Sequence, residues 1–285
     1  MRGGNPELIF LRTNSRGDVK NMSVTTCGAP LHNSGRQADL FTYITFITVF
    51  VFVIIRFTYK LLLARVDLGY DDWCVLVTSI TFLASFLVAV CGVIEHGLGQ
   101  DTWTLHPDEI TLFMKYTHIA GVLYFLETAL LKLCFLFFYL RVFAGIGVQR
   151  ILWSTVALVA VWGTVFVLIA LFRCRPISYA WESWDGLHDG SCIVGIVFTI
   201  VHAVINIAFD IWMLAIPWWQ IKGLNMHWRK KLKVMLMFIV GTFVTVVSIL
   251  RLRAIVKVSI SENPTRELYD AYLWSKLEIG VGIMG

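Results

Sequence analysis

Residues 119–143 read IAGVLYFLETALLKLCFLFFYLRVF. About 20 apolar residues in a helix cross a ~30 Å hydrocarbon core, so this stretch is long enough to span a bilayer. Yet Glu127, Lys132 and Arg141 lie within it. Ionisable side chains at that depth are costly and face a protein interior or a water-filled space rather than lipid. Such a helix needs neighbours, and the rest of the chain must supply them.

The composition says what kind. Of the 285 residues, 58% are hydrophobic and 15% charged, with a mean hydropathy of +0.73. A water-soluble domain cannot bury that much apolar surface, so the expected fold is an all-α polytopic membrane protein. The apolar runs are continuous, whereas a transmembrane barrel would show short alternating segments. The net charge of +5 comes largely from basic clusters beside the spans. There they set topology or meet anionic lipid, so the bilayer is the expected partner and nucleic acid is not.

Seven segments follow a polar tail. Residues 1–37 lack any hydrophobic period and are expected to form a disordered extracellular tail carrying the sequon Asn21-Met22-Ser23 and a lone Cys27. The expected spans are 38–59, 73–94, 119–143, 151–172, 195–217 and 234–255, with a seventh starting near 271. Residues 38–285 therefore form one seven-helix bundle, with no internal repeat. From 271 to the end of the chain a helix covers only about 22 Å, so the seventh is expected to be cut short.

Three connections carry signals of their own. Asp71 or Asp72 suits the N-cap of the second span, the other reading being an acidic pair that contacts a partner. The polar loop 95–116 holds His96, His106, Asp101, Asp108 and Glu109 without a tight metal-binding spacing such as HExxH; no metal is expected, and a ligand-contacting role is. Cys174 and Cys192 bracket one short loop, which reads as a disulfide in an oxidising compartment, with Trp181 and Trp184 at the membrane–water interface.

Within the spans the polar residues form a pattern. His202, Asn206 and Asp210 sit at i, i+4 and i+8, one stripe on one helix face. Lys132 and Asp210 lie at similar depth with opposite sign, so they are expected to pair, with Asn206 bridging. Arg251 and Glu278 are expected to form a second pair. Glu127 has no obvious partner, and His118 and His202 are the candidates to hydrogen-bond to it. These three are the candidate ligand-binding residues. The buried pairs either lock helix register or exchange partners as a switch.

Placing the N-terminus outside puts ten Lys and Arg residues on the cytoplasmic connections and seven on the opposite ones. The same choice puts the cysteine-bracketed loop and the sequon outside.

The chain resembles the fungal rhodopsin-domain integral membrane proteins. The matching features are GYDDW at 69–73, GLGQD at 97–101, KLCFLFFYLRVF at 132–143, Cys174-Arg175-Pro176 with Trp184-Asp185 and Cys192, NIAFDIWMLAIP at 206–217, the basic run 230–233, Ser248-Ile249-Leu250-Arg251 and WSKLE at 274–278. The resemblance covers residue 38 to the end. It implies a seven-helix, receptor-like bundle similar to G-protein-coupled receptors. Some members carry a cysteine-rich extracellular CFEM domain ahead of the bundle, and Cys27 with Pro30 resembles the join after it. No cofactor is expected: Lys276, the lysine of the last segment, sits near its start. Tyr139-Leu140-Arg141 stands where a DRY-type triplet would close the third span, and Arg141 is expected to reach lipid phosphates.

The function expected is a plasma-membrane receptor or sensor, not an enzyme. Loop 95–116, loop 174–192 and the outer third helix would form its pocket, and a heterotrimeric G protein or another cytoplasmic signalling protein would be its partner. The alternatives are a membrane-embedded metal-dependent hydrolase, for which His96, His106, His118 and His202 are too scattered, and a transporter, which would show repeats and interrupted spans.

Overall fold

A computed structural model describes residues 35–64, 69–100, 105–143, 145–184, 188–223, 228–260 and 264–284. The sequon and Cys27 lie outside the described residues, and so do the side chains of 219–234, which hold the basic cluster.

Continuous apolar runs become helices because lipid offers the backbone no hydrogen-bond partners, and a helix satisfies its amides internally. Seven long helices result: α1 (Gly35–Thr58), α2 (Tyr70–Val88), α3 (Pro107–Val142), α4 (Ile146–Leu171), α5 (Gly195–Gly223), α6 (Trp228–Ile260) and α7 (Pro264–Met284). The first two continue as single wider π-turns, Tyr59–Ala64 and Ala89–Ile94. Six of the seven are long and apolar enough to cross a membrane. The seventh is more polar because its inward face carries Lys276 and Glu278.

The helices form a ring in chain order, and α7 returns to pack against α1. Helix α3 lies inside it, touching α2, α4 and α7. Side chains join α4 to α5: Trp212 donates to Thr155 at 3.2 Å, and the Trp162 and Phe209 rings lie 5.2 Å apart. Close approach of α3 to α4 depends on a missing side chain, since a Cβ on Gly163 would stand 2.4 Å from that of Ala129. Facing outward, Leu40, Ile44, Ile47, Val51 and Ile55 form an exposed apolar stripe on α1, the face suited to lipid.

Two boundaries differ from expectation for one physical reason. Helix α3 begins at Pro107, inside the expected loop 95–116, and α7 begins at Pro264, not near 271. Proline at the first helical position has no amide to leave unsatisfied, and acidic residues in the first turn favour the positive end of the dipole. Asp108 and Glu109 do this in α3, where Glu109 also accepts from the His106 amide at 3.1 Å, and Glu267 does it in α7. At 1.5 Å per residue the 36 residues of α3 reach about 54 Å, well beyond a hydrocarbon core.

The connection between α4 and α5 is stapled. Two-residue strands β1 (Cys174–Arg175) and β2 (Ser191–Cys192) pair antiparallel, and Cys174 is disulfide-bonded to Cys192. Closing a loop of this length stabilises by roughly 3 kcal/mol. The enclosed tryptophans contact the start of α3: Trp184 donates to Thr111 at 3.0 Å, and the Lys115 ammonium lies 5.7 Å from the centre of the Trp181 ring.

Candidate functional site in the bundle interior

A cavity of about 260 Å³ lies at the disulfide end of the bundle. Six helices contribute to its wall: Ser85 from α2, His118, Tyr124 and Glu127 from α3, Ala170 from α4, Phe198 from α5, Arg251 from α6, and Tyr272 and Lys276 from α7. Arg173, just past α4, and Ala180 in the disulfide loop complete it. Most of this wall is apolar, with a few convergent polar groups, the usual make-up of a small-molecule site.

Those polar groups are incompletely satisfied. Glu127 Oε1, Thr117 Oγ1 and Arg173 Nε all belong to cavity-lining residues, and none has a hydrogen-bond partner among the described residues. Burial lowers the Arg173 pKa from the usual guanidinium value. Buried polar atoms are ordinarily paired, so three orphans around one space mark it as a place where something polar belongs.

The interior beneath and beside the cavity holds three buried cations, Lys132, Arg251 and Lys276, and three buried anions, Glu127, Asp210 and Glu278. They are matched in three different ways. Lys132 and Asp210 form a direct hydrogen-bonded ion pair between α3 and α5. Lys276 donates to the Ser85 hydroxyl and to its carbonyl at 3.3 Å, and it lines the cavity together with Ser85 and Glu127.

Arg251 and Glu278, expected as a pair, are instead separated by Tyr124. The guanidinium lies 3.7 Å above the Tyr124 ring and donates its Nε to Ser275 at 2.9 Å, while the Tyr124 hydroxyl donates to Glu278 Oε2 at 2.7 Å. No carboxylate lies within 4.0 Å of Arg251 among the described residues. An aromatic face satisfies part of a cation's field. It holds no lone pair for the guanidinium edge.

Asn206 does not bridge Lys132 to Asp210. Its amide donates to Glu278 Oε1 at 2.9 Å and approaches Ser248 at 3.4 Å. Ser248 links a different pair, its hydroxyl lying 2.7 Å from Glu278 Oε1 and 3.3 Å from Asp210 Oδ2. One connected polar path therefore runs from the cavity wall at Tyr124 through Glu278, Ser248 and Asp210 to Lys132.

The two histidines separate. His118 lines the cavity, its ring centre 6.2 Å from that of Trp181. His202 is not a cavity residue and does not reach Glu127. It is fully buried, with ring-centre distances of 4.4 Å to Phe125, 4.8 Å to Trp162 and 5.1 Å to Phe166, and neither of its nitrogens has a partner among the described residues. All three members of the stripe are buried, and the first meets aromatic rings.

Lys276 is the residue that the sequence reading left out. Because α7 starts at Pro264, this lysine falls just past the helix's middle, buried and close to Glu127. The proline-plus-acid start signal at 264–267 was the clue to its depth.

At the opposite end of the bundle the charges close on themselves. Asp71 accepts from Arg141 at 3.0 Å, Lys60 at 3.4 Å and Arg56 at 3.5 Å. Asp72 pairs with Lys60, lies 3.6 Å from both Arg56 and Arg141, and accepts from the Gly69 amide at 3.1 Å. The N-cap of α2 is thus Gly69, not an aspartate, while Asp72 at the third position of the helix reaches back to the Gly69 amide and joins an ion cluster. Arg141 turns inward to this acidic pair, not outward to lipid phosphates.

The family model for the fungal rhodopsin domain matches residues 55–285, from the end of α1 through α7. The chain belongs to the fungal rhodopsin-domain family. It is 28% identical over 70% of its length to a SAT4 family membrane protein of Emericella nidulans, covering 50% of that protein. It is 24% identical over 87% of its length to the polyenoic acids biosynthesis gene cluster protein Ba17b of Metarhizium anisopliae, covering 70% of it. The chain thus spans only half of the first of these relatives. No solved structure matches it significantly. A fungal rhodopsin-domain chain with these helices is a multi-pass membrane protein, embedded in a lipid bilayer.

Proposed function

We propose that this membrane protein is a receptor. Its cavity takes a ligand from the side of the disulfide loop, and the response travels to the opposite end of the bundle. One observation carries the reading: Tyr124 and Arg251 belong both to the cavity wall and to the buried polar assembly. A ligand that moved Tyr124 would change what holds Glu278, and through Ser248 what faces Asp210 and Lys132. Buried ionic and hydrogen-bonded groups with more than one arrangement are the elements that ligands bias in switching proteins.

The orientation follows from three supports. The disulfide suits an oxidising compartment, use of the sequon would require the tail on that side, and the basic residues of the connections favour the other. Together they support an outside N-terminus, which would turn the Asp71–Arg141 end toward a cytoplasmic partner; the plasma membrane is the proposed location. A heterotrimeric G protein is the partner class this seven-helix layout suits best.

The alternatives lack support of this kind. Among the described residues no three His, Cys, Asp or Glu side chains gather as a metal donor set, and no helix is broken in the manner of transporters.

Nucleotide exchange tests the proposal. The chain reconstituted in nanodiscs with a fungal heterotrimer should accelerate guanine-nucleotide loading over empty nanodiscs, and Arg141→Ala should change that basal rate. No acceleration by either form, with or without the ligand probes described next, overturns coupling to a G protein.

A further inference from the structure

The cavity's charges specify more than a ligand; they specify its class. Lys276 and Glu127 are opposite charges on the cavity wall, and the lysine donates to Ser85. Lys132 and Asp210 are joined, and Glu278 is held by Tyr124, Ser248 and Asn206. The six buried charges of the interior are therefore formally balanced. Arg173 is an additional cation on the cavity wall, its Nε is unpartnered, and no carboxylate lies within 4.0 Å of it among the described residues. With that interior counted, one positive charge at the cavity has no formal counterpart among the described residues.

Geometry says where that charge would go. The Arg251 guanidinium uses its face on Tyr124 and its Nε on Ser275. Among the described residues, the edge formed by its two terminal nitrogens has no acceptor. That edge is the part of arginine whose paired donors match a planar carboxylate. The remaining wall, including Val122, Phe125, Phe198, Leu268 and Ile255, is apolar. A ligand that left this surface empty would forgo most of the burial available to it. An inorganic anion supplies no such body, and a dianion would overfill the balance.

We propose that the cavity binds an amphipathic monocarboxylate, its carboxylate held by Arg251 and Arg173 and its apolar body by the ring- and aliphatic-lined wall. The proposal rests on the receptor reading of the same cavity but commits it to a ligand chemistry.

The test uses the full chain purified in nanodiscs, with thermal melting and intrinsic tryptophan fluorescence as readouts. The probes are decanoate, 1-decanol and decylamine, which share one apolar body and differ in head group. Decanoate should raise the melting temperature saturably, and the alcohol and the amine should not. Arg251→Lys keeps the charge but loses the paired edge, and Arg173→Gln removes the extra cation. Each should weaken the apparent decanoate affinity about tenfold or more, the size expected for a charge-assisted bond.

Equal stabilisation by decanol overturns the proposal, because it shows apolar filling without anion recognition. Unchanged decanoate affinity in both variants overturns it as well, because it shows partition into the bilayer. Should Arg251→Lys fail to express, Arg173→Gln decides alone, since Arg173 lies outside the spans. The two readings fail separately. Decanoate binding without nucleotide exchange leaves the site and removes G-protein coupling, whereas exchange without decanoate binding removes only the ligand class.

Discussion

The two ends of this bundle use the same kinds of charged residue to opposite effect. At one end Arg56, Lys60 and Arg141 converge on Asp71 and Asp72, every contact falling within 3.6 Å. At the other, Arg251 and Arg173 line a cavity, and neither has a carboxylate within 4.0 Å among the described residues. A single residue decides each case. A Cβ on Gly69 would stand 2.4 Å from Asp71 Oδ1 and 3.2 Å from Arg141 Nη1, so its absence lets the cluster close. Tyr124 does the reverse, placing its ring under Arg251 and its hydroxyl on Glu278. Pairing inside a membrane bundle therefore depends on what stands between the charges as much as on their depth. Closed clusters fix helix positions, and an open one is available to a ligand.

The largest effect should come from the pair that is closed and fully buried. Lys132→Ala or Asp210→Ala leaves one charge uncompensated in the interior, which costs about 3–5 kcal/mol in buried pairs. Surface expression and melting temperature should both drop steeply. The exchange Lys132→Asp with Asp210→Lys should recover part of the loss. A double variant no better than either single one would show that the attraction between the two charges does not hold α3 to α5.

A smaller loss is expected at the half-exposed cluster. Gly69→Ala forces Asp71 and Arg141 apart, but Arg141 is 40% exposed, and water screens what is lost. A drop of about 1–2 kcal/mol is expected, from the crowding and the weakened ion cluster together. Decanoate affinity should stay unchanged, because the cavity lies at the other end. If Gly69→Ala weakened decanoate binding as strongly as Arg173→Gln, the two ends would not be separable in the way this comparison requires.

The sequence made the helical bundle legible, along with part of its interior. Equal depth and opposite sign pointed to Lys132 and Asp210, and the structure places them in contact. The same logic failed for Arg251 and Glu278, because counting residues from a helix end gives depth but not what lies between two side chains. It failed for Asn206 because Lys132 and Asp210 meet directly, and the Asn206 amide donates to Glu278 instead. Lys276 was missed through a boundary error. Polar residues 264–270 read as loop, although Pro264 and Glu267 are a helix-start signal, and the shift moved the lysine from the helix's edge to its interior. Arg141 was read for its place at the end of a span. Its preference for Asp71 depends on a fold-level approach of α2 to α3 that no local pattern announces.

The smallest effect should belong to His202, the most deeply buried histidine and one with no polar contact among the described residues. An imidazole whose two nitrogens are both unpartnered carries a desolvation cost of about 1–3 kcal/mol, set against its contacts with Phe125, Trp162 and Phe166. His202→Phe removes that cost and keeps an aromatic ring. The larger phenyl group must fit a packed site, which typically works against it by a comparable amount. The net change should stay within about 1 kcal/mol, read as a melting temperature close to that of the unmodified chain, with decanoate affinity unaltered because His202 is not part of the cavity wall. A loss as large as that of Lys132→Ala would mean that the imidazole holds a polar partner in the native membrane, and that the cavity and the aromatic cluster act as one site instead of two.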